Sequence, residues 1–172
     1  MPLYNSRVTS AVENLEREFA ARHGFAGAVA AGFGRTALRL ALEAAEVRGG
    51  EVLVPNFVCT QVCGAVRQAG ATPVYFSVSR ELRVAPDAFR AAITANTRAA
   101  IAVYYFGRPL PSMALLAQIC RERGIPLMED CALALGCAGA GKQGSAAVFS
   151  FTKSDWCWGG GLMATREPEM LA

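Results

Sequence analysis

From about residue 25 to residue 165 the sequence repeats one unit: a short apolar run, a turn residue, then a segment whose apolar positions follow helical spacing. The apolar runs at 25–31, 51–54, 73–78, 99–105, 125–128, 146–151 and 161–165 are short and read as strands. The segments at 36–47, 59–69 and 87–93, and the one after Ser112, read as helices, with Gly70 and Gly124 as stops and Pro86 as a first-turn residue. An earlier helix opens at Ser10, three residues before Glu13 as in a capping box, and stops at Gly24; a last one begins at Glu167. Strands separated by helices of this length must pair in parallel, because a hairpin leaves no room for the crossover. The expected fold is a three-layer α/β domain, a mostly parallel sheet flanked by helices.

A chain of 172 residues can bury a substantial core, and 53% apolar against 18% charged residues supplies one. The net charge of +3 is spread along the chain, so no nucleic-acid footprint is expected. No apolar run reaches the ~18 residues of a membrane span, and the opening MPLYNSRVTS lacks the apolar core of a signal peptide. The expectation is a cytoplasmic protein with no membrane partner. The six cysteines, mostly within apolar stretches, read as reduced core thiols. Cys59 and Cys63 stand four apart, but His23, the sole histidine, is distant in sequence, so a zinc site lacks its second ligand pair and no metal is expected.

Two glycine motifs invite a nucleotide reading. Residues 136–143, GCAGAGKQ, nearly spell a P-loop, but Gln143 stands where magnesium needs Ser or Thr, and a strand rather than a helix follows. A surface hairpin is expected there. Residues 32–37, GFGRTA, fit the dinucleotide fingerprint between a strand and a helix, yet the second strand ends in Pro55, Asn56 and Phe57 with no acid for a ribose. What remains is a helix N-terminus with free N–H groups at Gly34 and Arg35, suited to a phosphate.

Strand ends on the carboxyl edge of an open sheet are where ligands bind. Asp130 ends one strand, Lys153 follows another, and Gly34 and Arg35 follow a third. An amine, an acid and a phosphate cradle are the set that pyridoxal phosphate requires.

The blocks LEREFAARHGFAGAVAAGFGRTALRLAL, GGEVLVPNF with AGATPVYFSV, VYYFGRP, GIPLMEDCALALG and FSFTK with GGGLMAT occur in this order. In that order they resemble the DegT/StrS family of fold-type I, pyridoxal-phosphate-dependent sugar aminotransferases. The resemblance implies that Lys153 forms the Schiff base with the cofactor and that Asp130 faces its ring nitrogen. It gives the phosphate to Ser150 and the backbone at Gly34 and Arg35, and puts Cys59 at the ring-stacking place. Retention of the lysine implies transamination, with glutamate or glutamine as donor and a keto-sugar nucleotide or related keto compound as acceptor.

The chain departs from the family pattern at four points: Ser150 is three residues from Lys153 rather than five, Leu133 replaces a Gln, Arg35 a Thr, and Cys59 an aromatic. Family members are longer, so the whole chain, 1–172, reads as the N-terminal part of the large domain, with the small C-terminal domain absent. A homodimer, or pairing with a chain that supplies the missing half, is implied; Trp156 and Trp158 are expected at such an interface. Two other readings stay open: a non-catalytic truncated homologue that needs a second chain, and a nucleotide-dependent oxidoreductase resting on GFGRTA.

Overall fold

The computed structural model describes residues 5–154 and 157–171. Helix α1 (Asn5–His23) leads to strand β1 (Gly27–Ala31), and alternation follows: α2 (Gly34–Ala44), β2 (Glu51–Pro55), α3 (Thr60–Gln68), β3 (Thr72–Phe76), α4 (Pro86–Ala92), β4 (Thr97–Val103), α5 (Met113–Glu122) and β5 (Leu127–Asp130). A loop without a helix then reaches β6 (Ala146–Ser150), a single turn α6 (Phe151–Ser154) and β7 (Gly161–Thr165). The seven strands form one sheet in the order β1-β7-β6-β5-β4-β2-β3.

Helices α2 and α5 each bury one stripe. In α2 the stripe is Ala37, Leu38, Ala41 and Leu42, and in α5 it is Met113, Leu116, Ala117, Ile119 and Cys120. Because side chains alternate across a strand, β4 sends Ala99 and Ile101 to one core and Ala100 and Ala102 to the other. The first core packs under α2 and α3; the second contains residues of α1, α4 and α5. The central strands are therefore apolar on both faces, and they read in sequence as continuous runs.

Parallel pairing holds for β2 with β3 and β4, β4 with β5, and β5 with β6. Strand β7 is antiparallel to both β6 and β1. The reason is length: the connection from β6 to β7 is only residues 151–160, too few for a parallel crossover. At the β1 edge, the Glu16 carboxylate of α1 accepts the Ala30 N–H at 2.7 Å.

Several local expectations change. Ser10 lies inside α1 rather than at its start, so its spacing to Glu13 is not a capping box. Ser112 does occupy the N-cap of α5, but its φ of −86° and ψ of 0° are helical rather than extended, and its hydroxyl makes no capping bond. The strand ending at 151 stops at Ser150, and the segment after Glu167 is a 3-10 turn, Pro168–Leu171. Residues 136–144 are no hairpin, since the flanking strands β5 and β6 run parallel. The stretch instead folds inward over Glu129. Of the cysteines, Cys63, Cys120 and Cys131 are buried thiols, while Cys59 and Cys157 are exposed.

Phe89 is fully buried and meets Phe76 edge-on at 5.1 Å, fixing α4 to β3. Phe89→Ala is expected to cost about 3–5 kcal/mol, read as a lowered midpoint in denaturant unfolding.

Candidate active site

Four parallel strands, β2, β4, β5 and β6, end on the same edge of the sheet, and the segments that follow them border one cleft. The cleft has two lobes of about 130 and 280 Å³ that share Cys59, Asp130, Ala132 and Lys153. Phe33, Gly34, Arg35, Gln61, Ser150 and Thr152 border the first lobe. The second is bordered by Phe57, Tyr104, Tyr105, Phe106 and Leu133. All six residues expected from the sequence (Gly34, Arg35, Cys59, Asp130, Ser150 and Lys153) thus meet in one place.

The sheet explains why. Asp130 is two residues from Met128 and points to the same face, toward α2 and α3; Ser150 bears the same relation to Val148. Asp130 Oδ1 accepts the Ala132 N–H at 3.0 Å, which holds the carboxyl over the strand end. The residue keeps some exposure to the cleft although its carboxyl lies deep. Burial pushes that carboxyl above its ordinary pKa, opposed by the Ala132 N–H and by the charge of Lys153. Lys153 sits on the turn α6, exposed and bordering both lobes. Ser150 is buried, its Oγ 3.0 Å from Thr152 Oγ1.

Helix α2 enters the first lobe by its N-terminus, with Phe33 as N-cap. Helix geometry leaves the N–H groups of Gly34 and Arg35 without an intrahelical acceptor, a ready anion site. This approach depends on two glycines. A Cβ on Gly161 would lie 2.3 Å from Gly34 N and from Phe33 C, and a Cβ on Gly34 would press on Ser150 Cβ at 3.1 Å. The Gly160 N–H also donates to the Gly32 carbonyl at 2.7 Å. The Arg35 side chain does not enter free: its guanidinium rests 4.1 Å from the centroid of the Phe33 ring. Cys59 is the exposed N-cap residue of α3, which places it between the lobes.

Some cleft residues escaped the sequence reading. Thr152 and Gln61 are polar groups of the first lobe; Thr152 stands two residues from Ser150 and beside Lys153, a spacing that could have flagged it. Tyr105, inside the VYYFGRP block, donates its hydroxyl to the Phe57 carbonyl at 2.7 Å. Burial, helped by the charge of Asp130, pushes this phenol up to about 12. Phe106 adopts φ 53°, ψ 33°, a left-handed conformation that costs an aromatic residue about 1 kcal/mol or more. Nothing in its residue type signals that. Trp158 is fully exposed, and Trp156 lies outside the described residues.

The profile of the DegT/DnrJ/EryC1/StrS aminotransferase family matches residues 5–172. The chain belongs to this family. Members are pyridoxal-phosphate-dependent aminotransferases, and membership sets aside the dinucleotide reading of GFGRTA. The UDP-N-acetyl-3-dehydro-alpha-D-glucosamine 3-aminotransferase of Acidithiobacillus ferrooxidans is 37% identical over 91% of this chain and 44% of its own length. The dTDP-3-amino-3,4,6-trideoxy-alpha-D-glucose transaminase of Micromonospora megalomicea is 36% identical over 92% of this chain and 44% of its own. The crystal structure of DesV from S. venezuelae, in complex with a ketimine intermediate, superposes with a TM-score of 0.83 at 34% identity, covering 93% of this chain and 45% of that one. The chain therefore spans less than half the length of the DegT-family relatives it matches. Its seven-stranded mixed sheet is the fold-type I arrangement.

Two outcomes follow for this DegT-family cleft. Gly161→Ala is expected to drive the start of α2 off the sheet, with a loss of about 3 kcal/mol or more in denaturant unfolding. Asp130 holds its proton more tightly folded than unfolded. Its contribution to stability is therefore complete at low pH and falls as pH rises from the ordinary Asp value, about 3.9, through the raised folded value. Asp130→Asn is expected to be more stable than wild type at pH 7, and unfolding below about pH 3 should abolish the difference.

Proposed function

We propose that this chain supplies the cofactor-holding part of a pyridoxal-phosphate-dependent aminotransferase, with Lys153 and Asp130 as its catalytic residues. The observation that carries the proposal is the meeting of Lys153, Asp130 and the N-terminus of α2 in one two-lobed cleft at the carboxyl edge of the sheet.

The donor set fits the group. A deep carboxylate takes only one hydrogen bond among the described residues, from the Ala132 N–H, and borders both lobes opposite no other acid. Two helix N–H groups and the hydroxyls of Ser150 and Thr152 border the smaller lobe and suit a phosphate. Gly34 and Gly161 leave space that any side chain would fill. Pyridoxal phosphate, when bound, supplies an aldehyde that holds an amine and a ring that takes up electrons when a bond to the substrate carbon breaks.

The residues have separate tasks. Lys153 Nζ would hold the cofactor and, when free, would carry a proton to or from a substrate carbon. Asp130, as an anion, keeps a proton on the ring nitrogen, and that partner reverses the cost its burial imposes. The N–H groups of Gly34 and Arg35, with Ser150 Oγ, anchor the phosphate. Cys59, which borders both lobes, would lie beside the ring. Leu133 gives the second lobe an apolar wall where the family pattern has an amide.

The substrates we infer are glutamate or glutamine as donor and a keto-sugar or related keto compound as acceptor, in line with the sugar-nucleotide transaminases among the relatives. We infer a cytoplasmic protein; among the described residues no helix is long and apolar enough to cross a membrane. We also infer a homodimer or pairing with a second chain. Phe57 and Phe106, at the second lobe, are 54% and 68% exposed, which supports a covering partner. The same exposed rings favour one further reading, in which the chain holds cofactor but turns over only with that partner.

Mixing the chain with pyridoxal phosphate, reducing with borohydride and mapping peptides by mass tests the proposal. A single pyridoxyl group on Lys153, absent in Lys153→Ala, is the expected result. Scattered or absent labelling would refute it.

A further inference from the structure

The near-P-loop at residues 136–144 is an anion cradle after all, and its anion is internal. Glu129 has no exposed surface, and four donors converge on its carboxylate. Oε1 accepts the N–H groups of Gln143 at 2.7 Å and Gly144 at 2.6 Å. Oε2 accepts the Gly141 N–H at 3.1 Å and the Tyr104 hydroxyl at 2.8 Å. Among the described residues no lysine or arginine pairs with it. The charge is met by backbone dipoles and one phenol, the device by which nests hold phosphates.

The glycines are where this cradle requires them. A Cβ on Gly144 would strike the Leu127 carbonyl at 2.4 Å and Glu129 Cγ at 3.1 Å. One on Gly141, at φ 72°, would meet Ala147 Cβ at 2.7 Å. From outside, Arg166 donates to the Gly141 carbonyl at 3.0 Å. Both carboxylate oxygens accept a backbone N–H, and Oε1 accepts two, so an amide in either orientation would set an NH2 against at least one backbone N–H. Burial and the neighbouring carboxylate also push the Tyr104 phenol well above its ordinary range.

Tyr104 connects this cradle to the cleft. Tyr104 and Tyr105 are adjacent, Tyr105 is bonded to Phe57, and the strained Phe106 follows; together they form a wall of the second lobe. We propose that Glu129 is a positioning residue: its carboxylate is the fixed anion on which the 139–144 loop and Tyr104 assemble, and through Tyr104 it holds the Tyr105–Phe106 wall. The bearing of that wall on substrate binding rests on the aminotransferase reading above.

Amide hydrogen exchange on the full chain, followed by NMR, tests this without cofactor. In Glu129→Gln, protection at Gly141, Gln143, Gly144 and Arg108, whose N–H donates to the Tyr105 carbonyl, should fall at least tenfold, while amides of β2 and β3 stay within twofold of wild type. In Glu129→Ala, formate should restore the loop protection and neutral formamide should not, a distinction that mere filling of space would not produce. Unchanged loop protection in Glu129→Gln, a loss spread evenly over the sheet, or equal rescue by formamide would overturn the proposal. If the alanine variant does not fold, with or without formate, the glutamine variant decides alone. Lys153 labelling of the wild type is read separately: its failure counts against the aminotransferase reading and leaves the exchange result on Glu129 standing.

Discussion

The close approach of α2 to the β6–β7 pair is the constraint on which the site depends. Gly161 brings its Cα against the backbone of Phe33 and Gly34, and no other residue type leaves that space. Through this contact the helix aims its free N–H groups into the first lobe, beside Ser150 and the turn that carries Lys153. The antiparallel course of β7 serves the same end. A parallel crossover would have needed a further helix after Lys153, on the face where α1, α4 and α5 already lie.

The cleft divides its work between fixed dipoles and mobile charges. Backbone N–H groups of α2 offer positive potential that costs no side-chain ordering. Lys153, on an exposed single turn, carries its charge on a side chain that solvent reaches. Asp130 is the opposite case, a carboxyl held by one N–H and disfavoured as a bare anion. A carboxyl in that state gains more from a cationic partner than one already paired would.

Much of this was legible in the sequence, for physical reasons. Strands buried on both faces leave uninterrupted apolar runs, and Gly70 and Gly124 close helices where their backbone freedom predicts. Asp130, Ser150 and Lys153 could be placed because strand ends on one sheet edge must lie together. The direction of β7 was not legible, since strand periodicity carries no sign. Nor was the fold of residues 136–144: the glycines read as a surface hairpin, and that the stretch turns inward to cradle Glu129, a few residues earlier in the chain, is decided only by packing. Likewise Ser10 has the right neighbours for a cap and the wrong place in α1, which starts at Asn5.

The Glu16 bond to the Ala30 N–H gives the two margins of the sheet different characters. On the β1 side a side chain from α1 already occupies one of the donors that an incoming extended segment would use, so accretion of foreign strands is discouraged there. On the opposite margin β3 pairs only with β2 and presents Tyr75 half-exposed. Of the two margins, the β3 side is thus the one whose backbone groups stand less guarded against strand addition.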